Sequence, residues 1–378
     1  MTVYAHTAVP RPVKVSVRTT GFWIMLAVSA FGLWVLQHDF LPVVAAFPGS
    51  TAIDLLVLGM SLAVALWLAR RFLRPVQAPP WSGTWLALMW GAFGACGLAL
   101  VMNGVLMSAW SKALGLEASG EWAAALTAPV NEEAVKTAGV VLLACVSTRL
   151  VRSAADGFVY GALIGFGFQL MENFTYGLNA IAMAGGVDPV GATGQVLWVR
   201  ILLTGIGSHW AMSAVAGAGI GYLVSASGRT AARRAWVAAG CLALAMGMHW
   251  LFNSPLFSGG IAGVVAKPLV NFGILVVVYI VVRRGFRARF AAVAAEEVAL
   301  GSLVPVEVAS LSRRRARRRY LRSFGAVRVA QERLQQLQLD LLEERVPELR
   351  DPAAAEPWRD AVAAAREGTL VDRPVPVP

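Results

Sequence analysis

The chain has 378 residues, 57% of them hydrophobic and only 15% charged, with 33 Lys and Arg against 22 Asp and Glu for a formal charge of +11. Together with a mean hydropathy of +0.62, this balance lies far from that of a soluble domain and excludes an ordinary aqueous globular protein. The positive charge reads as a topology signal rather than a nucleic-acid footprint, so no nucleic-acid partner is expected.

Residues 1–20 form a polar leader in which Arg11, Lys14 and Arg18 precede the first apolar run, 21–38. That run is longer than the roughly 7–15 residues of a signal-peptide core and therefore predicts a span. Further runs of about 20 residues or more, the length that crosses about 30 Å of hydrocarbon, fall at 52–69, 83–110, 122–147, 157–183, 196–225, 235–256 and 261–282. The third contains Gly91, Gly94, Gly97, Asn103 and Gly104; one long tilted span is expected, with a partly re-entrant segment as the alternative. Asp54, in the second, is placed near the outer edge and given no role. Cys96, Cys145 and Cys241 all lie within these runs without metal-like spacing and read as small apolar packing residues.

Arginines follow the second run (Arg70, Arg71, Arg74), the fourth (Arg149, Arg152), the sixth (Arg229, Arg233, Arg234) and the eighth (Arg283, Arg284, Arg287, Arg289). The intervening loops hold only Lys112, Arg200 and Lys267 as cations. Because Lys and Arg accumulate in cytoplasmic loops, both termini are expected in the cytoplasm, as in an integral protein of a bacterial-type cell membrane. The fold class is thus all-α: a polytopic membrane helical bundle of about eight transmembrane helices, with a leader at 1–20, a core at 21–283 and a cytoplasmic tail at 284–378.

In the tail, Arg313, Arg314, Arg315, Arg317, Arg318 and Arg319 form a basic block. It predicts contact with anionic lipid head groups, each cation contributing about 1 kcal/mol near the surface; docking of a protein partner is the alternative. A helix-prone stretch from Tyr320 to Glu344 follows, with Leu334, Leu337, Leu341 and Leu342 on one face. The last residues, rich in Ala and Pro and ending Arg373-Pro374-Val375-Pro376-Val377-Pro378, are expected to be disordered.

Ionisable residues inside the bilayer cost about 2.5–3.5 kcal/mol each and read as functional by default. The fourth span carries Asn131, Glu132, Glu133 and Lys136, with Glu132 and Lys136 one turn apart on one face. The fifth aligns Phe168, Glu172 and Tyr176 at spacings of four, with Asn173 beside Glu172. The sixth carries His209 in a Gly-rich stretch that allows close helix approach, and the seventh carries His249 and Asn253 at i and i+4. At about 1.5 Å per residue these groups share the middle and outer half of the bilayer, which predicts one water-accessible cavity between helices. Two carboxylates and two imidazoles suit either a divalent cation such as zinc, with Glu133, Glu172, His209 and His249 as candidate ligands, or metal-free acid–base work. In both schemes Glu132 or Glu133 is base or ligand, Lys136 keeps a neighbouring carboxylate ionised, and His249 with Asn253 stabilises a developing oxyanion.

This ordered set resembles the PrsW family of intramembrane proteases, and more distantly the CAAX-prenyl-protease and bacteriocin-processing family. The resemblance covers the fourth to seventh spans. It implies an all-helical bundle that cleaves a peptide bond in or beside the membrane, with a membrane-anchored protein such as an anti-sigma factor as substrate. By the same resemblance Glu132 and Glu133 form the catalytic pair, Glu172 and His209 complete a water or metal site, and His249 with Asn253 steadies the oxyanion; Lys136, Asn173 and Phe168 support them. Glu172 stands where the CAAX relatives have His, which separates the two mechanisms. A proton-coupled transporter using the same Glu and His residues is the alternative function, although no internal inverted repeat is present. A scaffold acting through the Arg-rich tail is a third.

Overall fold

A computed structural model describes residues 15–74, 76–225, 228–257, 259–346 and 352–368, and among these every regular element is helical. Most of the leader and the last ten residues, with the Arg373–Pro378 end, lie outside the described residues. The Ala-rich stretch before them, also expected to be disordered, is instead a helix over Glu356–Glu367 because Trp358, Ala361 and Val362 pack into an apolar core.

Helix α1 (Thr20–Ala46) turns at Phe47 into α2 (Pro48–Leu68), whose first turn is seeded by Pro48. Helix α3 (Trp81–Met89) continues through a π-helical stretch, Trp90–Ala95, into α4 (Cys96–Leu114), so the third apolar run is one span of 34 residues. Gly115, at φ 83°, then reverses the chain into α5 (Leu116–Val146). Helix α6 (Ala154–Met183) is capped by Ser153.

The sixth apolar run, expected to be continuous, is broken. Helix α7 (Pro189–Leu197) passes through a π-helical stretch, Trp198–Leu203, and a 3-10 turn, Gly205–Gly207, into α8 (His209–Ser225), with a bend of 54°. The break follows from packing: a Cβ at Gly207 would lie 1.9 Å from the Pro268 carbonyl oxygen, so this turn is pressed against the next helix pair and only glycine fits. Helices α9 (Ala231–Asn253) and α10 (Gly260–Ala299) complete the bundle.

Six of these helices are long and apolar enough to cross a membrane, and the bent pair makes seven. Helix α5 has the length, 31 residues or about 46 Å, but carries Glu132, Glu133 and Lys136 where a span is usually apolar. The chain is therefore an integral membrane protein built as a polytopic helical bundle.

The bundle is tightest between α6 and α8. A Cβ at Gly161 would lie 2.1 Å from the Ser213 carbonyl oxygen, and one at Gly217 would lie 2.2 Å from that of Gly157. Small residues at four-residue spacing let two backbones touch where lipid supplies no hydrophobic drive. Around this seam lies the core, with Phe158, Ile164, Phe168, Met212 and Val215 all almost wholly buried.

Helix α10 does not stop at 283. It runs for 40 residues, about 60 Å, and its last turns join α11 (Pro305–Leu311), α12 (Arg314–Leu321), α13 (Arg328–Arg345) and α14 (Glu356–Glu367) around a second apolar core of Phe290, Val293, Leu311, Leu341, Leu342 and Trp358. The basic block lies on α12, and the helix-prone stretch is split by a kink at Gly325 before α13. Leu334, Leu337, Leu341 and Leu342 face this core. Buried Arg74, just past α2, meets Asp156 on α6 and Glu343 on α13, each at 2.9 Å, and so fastens the tail helices to the bundle.

Candidate active site

Glu132, Glu133 and Lys136 lie halfway along α5, with Lys136 and Glu133 fully buried and Glu132 nearly so. The Lys136 ammonium sits 2.7 Å from Glu133 Oε1 and 3.3 Å from Glu132 Oε2, which neutralises much of the charge that burial would otherwise penalise. The same nitrogen is 3.0 Å from His209 Nδ1 and 4.1 Å from the centre of the Phe168 ring.

His209 begins α8 directly after the break, so the bend, rather than a straight span, delivers its ring. Its Nε2 lies 2.7 Å from Glu172 Oε2 on α6, and Phe168, one turn from Glu172, stacks obliquely against the imidazole at 5.0 Å. His249, near the end of α9, places Nδ1 3.0 Å from Glu133 Oε1. Ser213 donates to the other oxygen of Glu133 at 3.2 Å, and Asn103 donates to Glu132 Oε1 at 2.9 Å.

One set of tautomers satisfies these contacts. His209 carries its proton on Nε2 and donates to Glu172, leaving Nδ1 to accept from Lys136. His249 carries its proton on Nδ1 and donates to Glu133, leaving Nε2 as a buried nitrogen with no hydrogen-bond partner. Both imidazoles thus turn one nitrogen toward a carboxylate and the other toward Glu132 Oε2, which lies 3.7 Å from His209 Nδ1 and from His249 Nε2.

Among the described residues, Glu132, His209 and His249 form the cluster whose ligand atoms converge, all within 4.8 Å of one another. Glu133 and Glu172, also expected among the ligands, meet the other nitrogens of the two imidazoles. That is the position of the outer carboxylates which orient metal-bound histidines. Two imidazoles and a carboxylate suit a divalent metal, and the unpartnered Nε2 of His249 marks where a ligand bond fits.

Asn253 lines a cavity of about 320 Å³ together with Glu132, Glu172 and His209. The walls come from Cys96 to Met107 of α4, the first half of α5 and the second half of α6, so the cavity lies in the half of the bundle away from the tail. Arg200 lies on its wall as well, donating to Glu172 and, through Nε at 2.7 Å, to Asn173 Oδ1. Its guanidinium stacks 4.0 Å over Tyr176.

Arg200, Asn103 and Ser213 were not among the expected site residues. Ser213 follows His209 at i+4 and Asn103 stood out as a polar residue in an apolar run, so both left a sequence signal. Arg200 left none, because it reads as a loop cation until the π-helical stretch turns it inward. Asp54 also needs correction: it is fully buried and accepts from Thr193 Oγ1 at 2.7 Å, tying α2 to α7. Cys145 is exposed, unlike buried Cys96, and so is not a core packing residue.

A family model described as PrsW family intramembrane metalloprotease matches residues 79–283, more than half of the chain. The chain belongs to the PrsW family. It is accordingly an intramembrane protease, and the family's description as metalloproteases implies a metal. Every member of the cluster lies inside the matched segment, from Asn103 to Asn253. Searches of curated proteins and of solved structures found no match to the chain.

Proposed function

We propose that this PrsW-family protein is an endopeptidase that cleaves a membrane-tethered protein, of the anti-sigma-factor kind, in the mid to outer half of the bilayer. Both termini lie in the cytoplasm in this reading, and the cavity opens away from the tail toward the opposite face. The observation that carries it is the matched pairing of two imidazoles with two outer carboxylates around Glu132.

Glu132, His209 and His249 would hold the metal, His209 through Nδ1 once the ion takes the place of the Lys136 hydrogen bond there, with zinc the ion that their donor set suits. The ion would polarise a carbonyl and lower the pKa of a bound water. Glu133 and Glu172 fix the tautomers of His249 and His209. Glu172 lines the cavity while standing outside the ligand group, which makes it the carboxylate placed to take a proton from water and return it to the departing amine. Arg200 and Asn253 offer donors from the cavity wall to a carbonyl oxygen that gains negative charge. Lys136 compensates the paired carboxylates of α5, and Phe168 seals the cluster from lipid.

The test compares membrane proteomes of cells carrying the wild type with those carrying Glu133→Gln combined with His249→Ala. Accumulation of one or a few uncleaved membrane proteins is expected. Unchanged processing would remove the reading, and pH-driven solute flux through liposomes holding the purified protein would favour a transporter instead. The basic block on α12 is proposed to contact anionic lipid head groups.

A further inference from the structure

A cavity in the tail-side half of the bundle is not part of the active site. It measures about 650 Å³ and opens between α8, α9 and α10, at the end where the tail helices dock. Its two ends differ in chemistry. At one end four guanidinium groups gather, from Arg152, Arg229, Arg233 and Arg289; at the other the walls are Val237, Cys241 and Val277.

The long axis follows from the helices. Val277 to Arg289 spans 12 residues of α10, about 18 Å of helix rise, and Arg233 to Cys241 spans eight residues of α9, about 12 Å, with Arg229 just before that helix. The two helices run in opposite directions, yet both place their arginines at the same end. The cavity therefore passes from head-group depth into hydrocarbon.

The four cations are unequally committed. Arg152 already donates to Glu343 at 2.8 Å. Among the described residues Arg289 meets Glu296 at 3.8 Å, and its Nε is buried with no hydrogen-bond partner there. No salt bridge among the described residues reaches Arg229 or Arg233. A surplus of positive charge thus stands at the mouth of an apolar slot.

We infer that this cavity binds one anionic phospholipid, with its phosphate among Arg229, Arg233 and Arg289 and an acyl chain along Val237, Cys241 and Val277. Charge complementarity selects an anionic head group, and the apolar depth selects a lipid rather than a free phosphate. Arg152 joins this cavity to the Arg74–Glu343 contact, so the bound lipid lies beside the joint between tail and bundle. The site is independent of the protease reading and does not involve the α12 block.

The test is native mass spectrometry of the full-length chain in neutral detergent, with added phosphatidylglycerol or phosphatidylcholine. One phosphatidylglycerol is expected to stay on each chain at activation energies that strip phosphatidylcholine. Arg229→Gln with Arg233→Gln should lower the retained fraction at least five-fold. Val237→Trp, which fills the apolar slot and leaves every charge in place, should do the same. Arg315→Gln with Arg318→Gln, on the α12 block, should leave retention unchanged, and millimolar inorganic phosphate should not displace the lipid. Each variant is first checked for wild-type melting temperature; Arg229 and Arg233 are exposed, so their replacement leaves the core intact. Equal retention of the two lipids, undiminished retention in both site variants, or displacement by phosphate would overturn the inference.

Discussion

His249 divides its two ring nitrogens between tasks, and that division is the most informative feature of the site. With Nδ1 engaged by Glu133, the lone pair on Nε2 has nowhere to go but the space beside Glu132. Replacing Glu133 by Gln keeps the shape but removes the charge that holds this tautomer and balances Lys136. Metal affinity is expected to fall by about 10–100-fold, read as metal per chain after dialysis against graded chelator; full retention would assign Glu133 another role. Arg200 invites a separate experiment, because it reaches the cavity from outside the ligand group. Arg200→Ala should cost about 100-fold in kcat while metal content stays at the wild-type level, and joint loss of metal and activity would reclassify it as structural. These residues also mark the limit of what one sequence discloses. Glu132, Glu133, Lys136, Glu172, His209 and His249 are visible because charge inside an apolar run is costly and therefore conspicuous. Arg200 is invisible because only the local winding of the chain separates a loop cation from a cavity wall.

At the scale of elements, the α6–α8 seam sets the distance between Glu172 and His209. Gly161 meets the Ser213 backbone and Gly165 meets that of His209, so the helix that carries Glu172 rests directly on the one that His209 begins. Gly161→Leu should push the two apart and cost about 1–3 kcal/mol or more through overpacking, with lower melting temperature and lost cleavage together. Gly240→Leu is the control, since a Cβ there meets nothing within 4 Å; equal damage from both would show that the seam has no special role. Gly-rich composition made close approach legible in the sixth run, but not its break. The 54° bend depends on Gly207 lying against Pro268, a contact 61 positions away in the chain that hydropathy cannot register. Similarly, the third run proved to be one long helix because a π-helical stretch accommodates its glycines and turns Trp90 so that its indole donates to the Val135 carbonyl at 3.0 Å.

Across the whole molecule, the tail is joined to the bundle by buried charge. Arg74 and Arg152 both reach Glu343, and Gln77 donates to Asp340 at 3.0 Å one turn earlier on α13. Such a joint could not be read from the sequence, where Glu343 is one of several acids in a charged helix. Only the apolar stripe of α13 announced that it packs against something.

The joint has a measurable pH dependence. Burial is the largest influence on Asp340 and raises its carboxyl above the ordinary 3.8 to about 6, against the opposing hydrogen bonds from Gln77 and Gln336. A carboxyl whose pKa is higher in the docked state binds its proton more tightly there than when the tail is released. Its contribution to docking is therefore fully present below about pH 4 and is lost as pH rises through about 6. Asp340→Asn should consequently strengthen docking at pH 7.5, where the wild type holds a poorly solvated carboxylate, and should flatten the wild-type decline between about pH 4 and 6. Limited proteolysis of the full chain across that range reads the docked fraction directly: the variant's tail should resist cleavage at every pH, whereas the wild-type tail should be cut faster as pH rises. Parallel pH profiles for the two proteins would mean that Asp340 is as well solvated when docked as when free, and that the charge of the joint resides in Arg74, Arg152 and Glu343 alone.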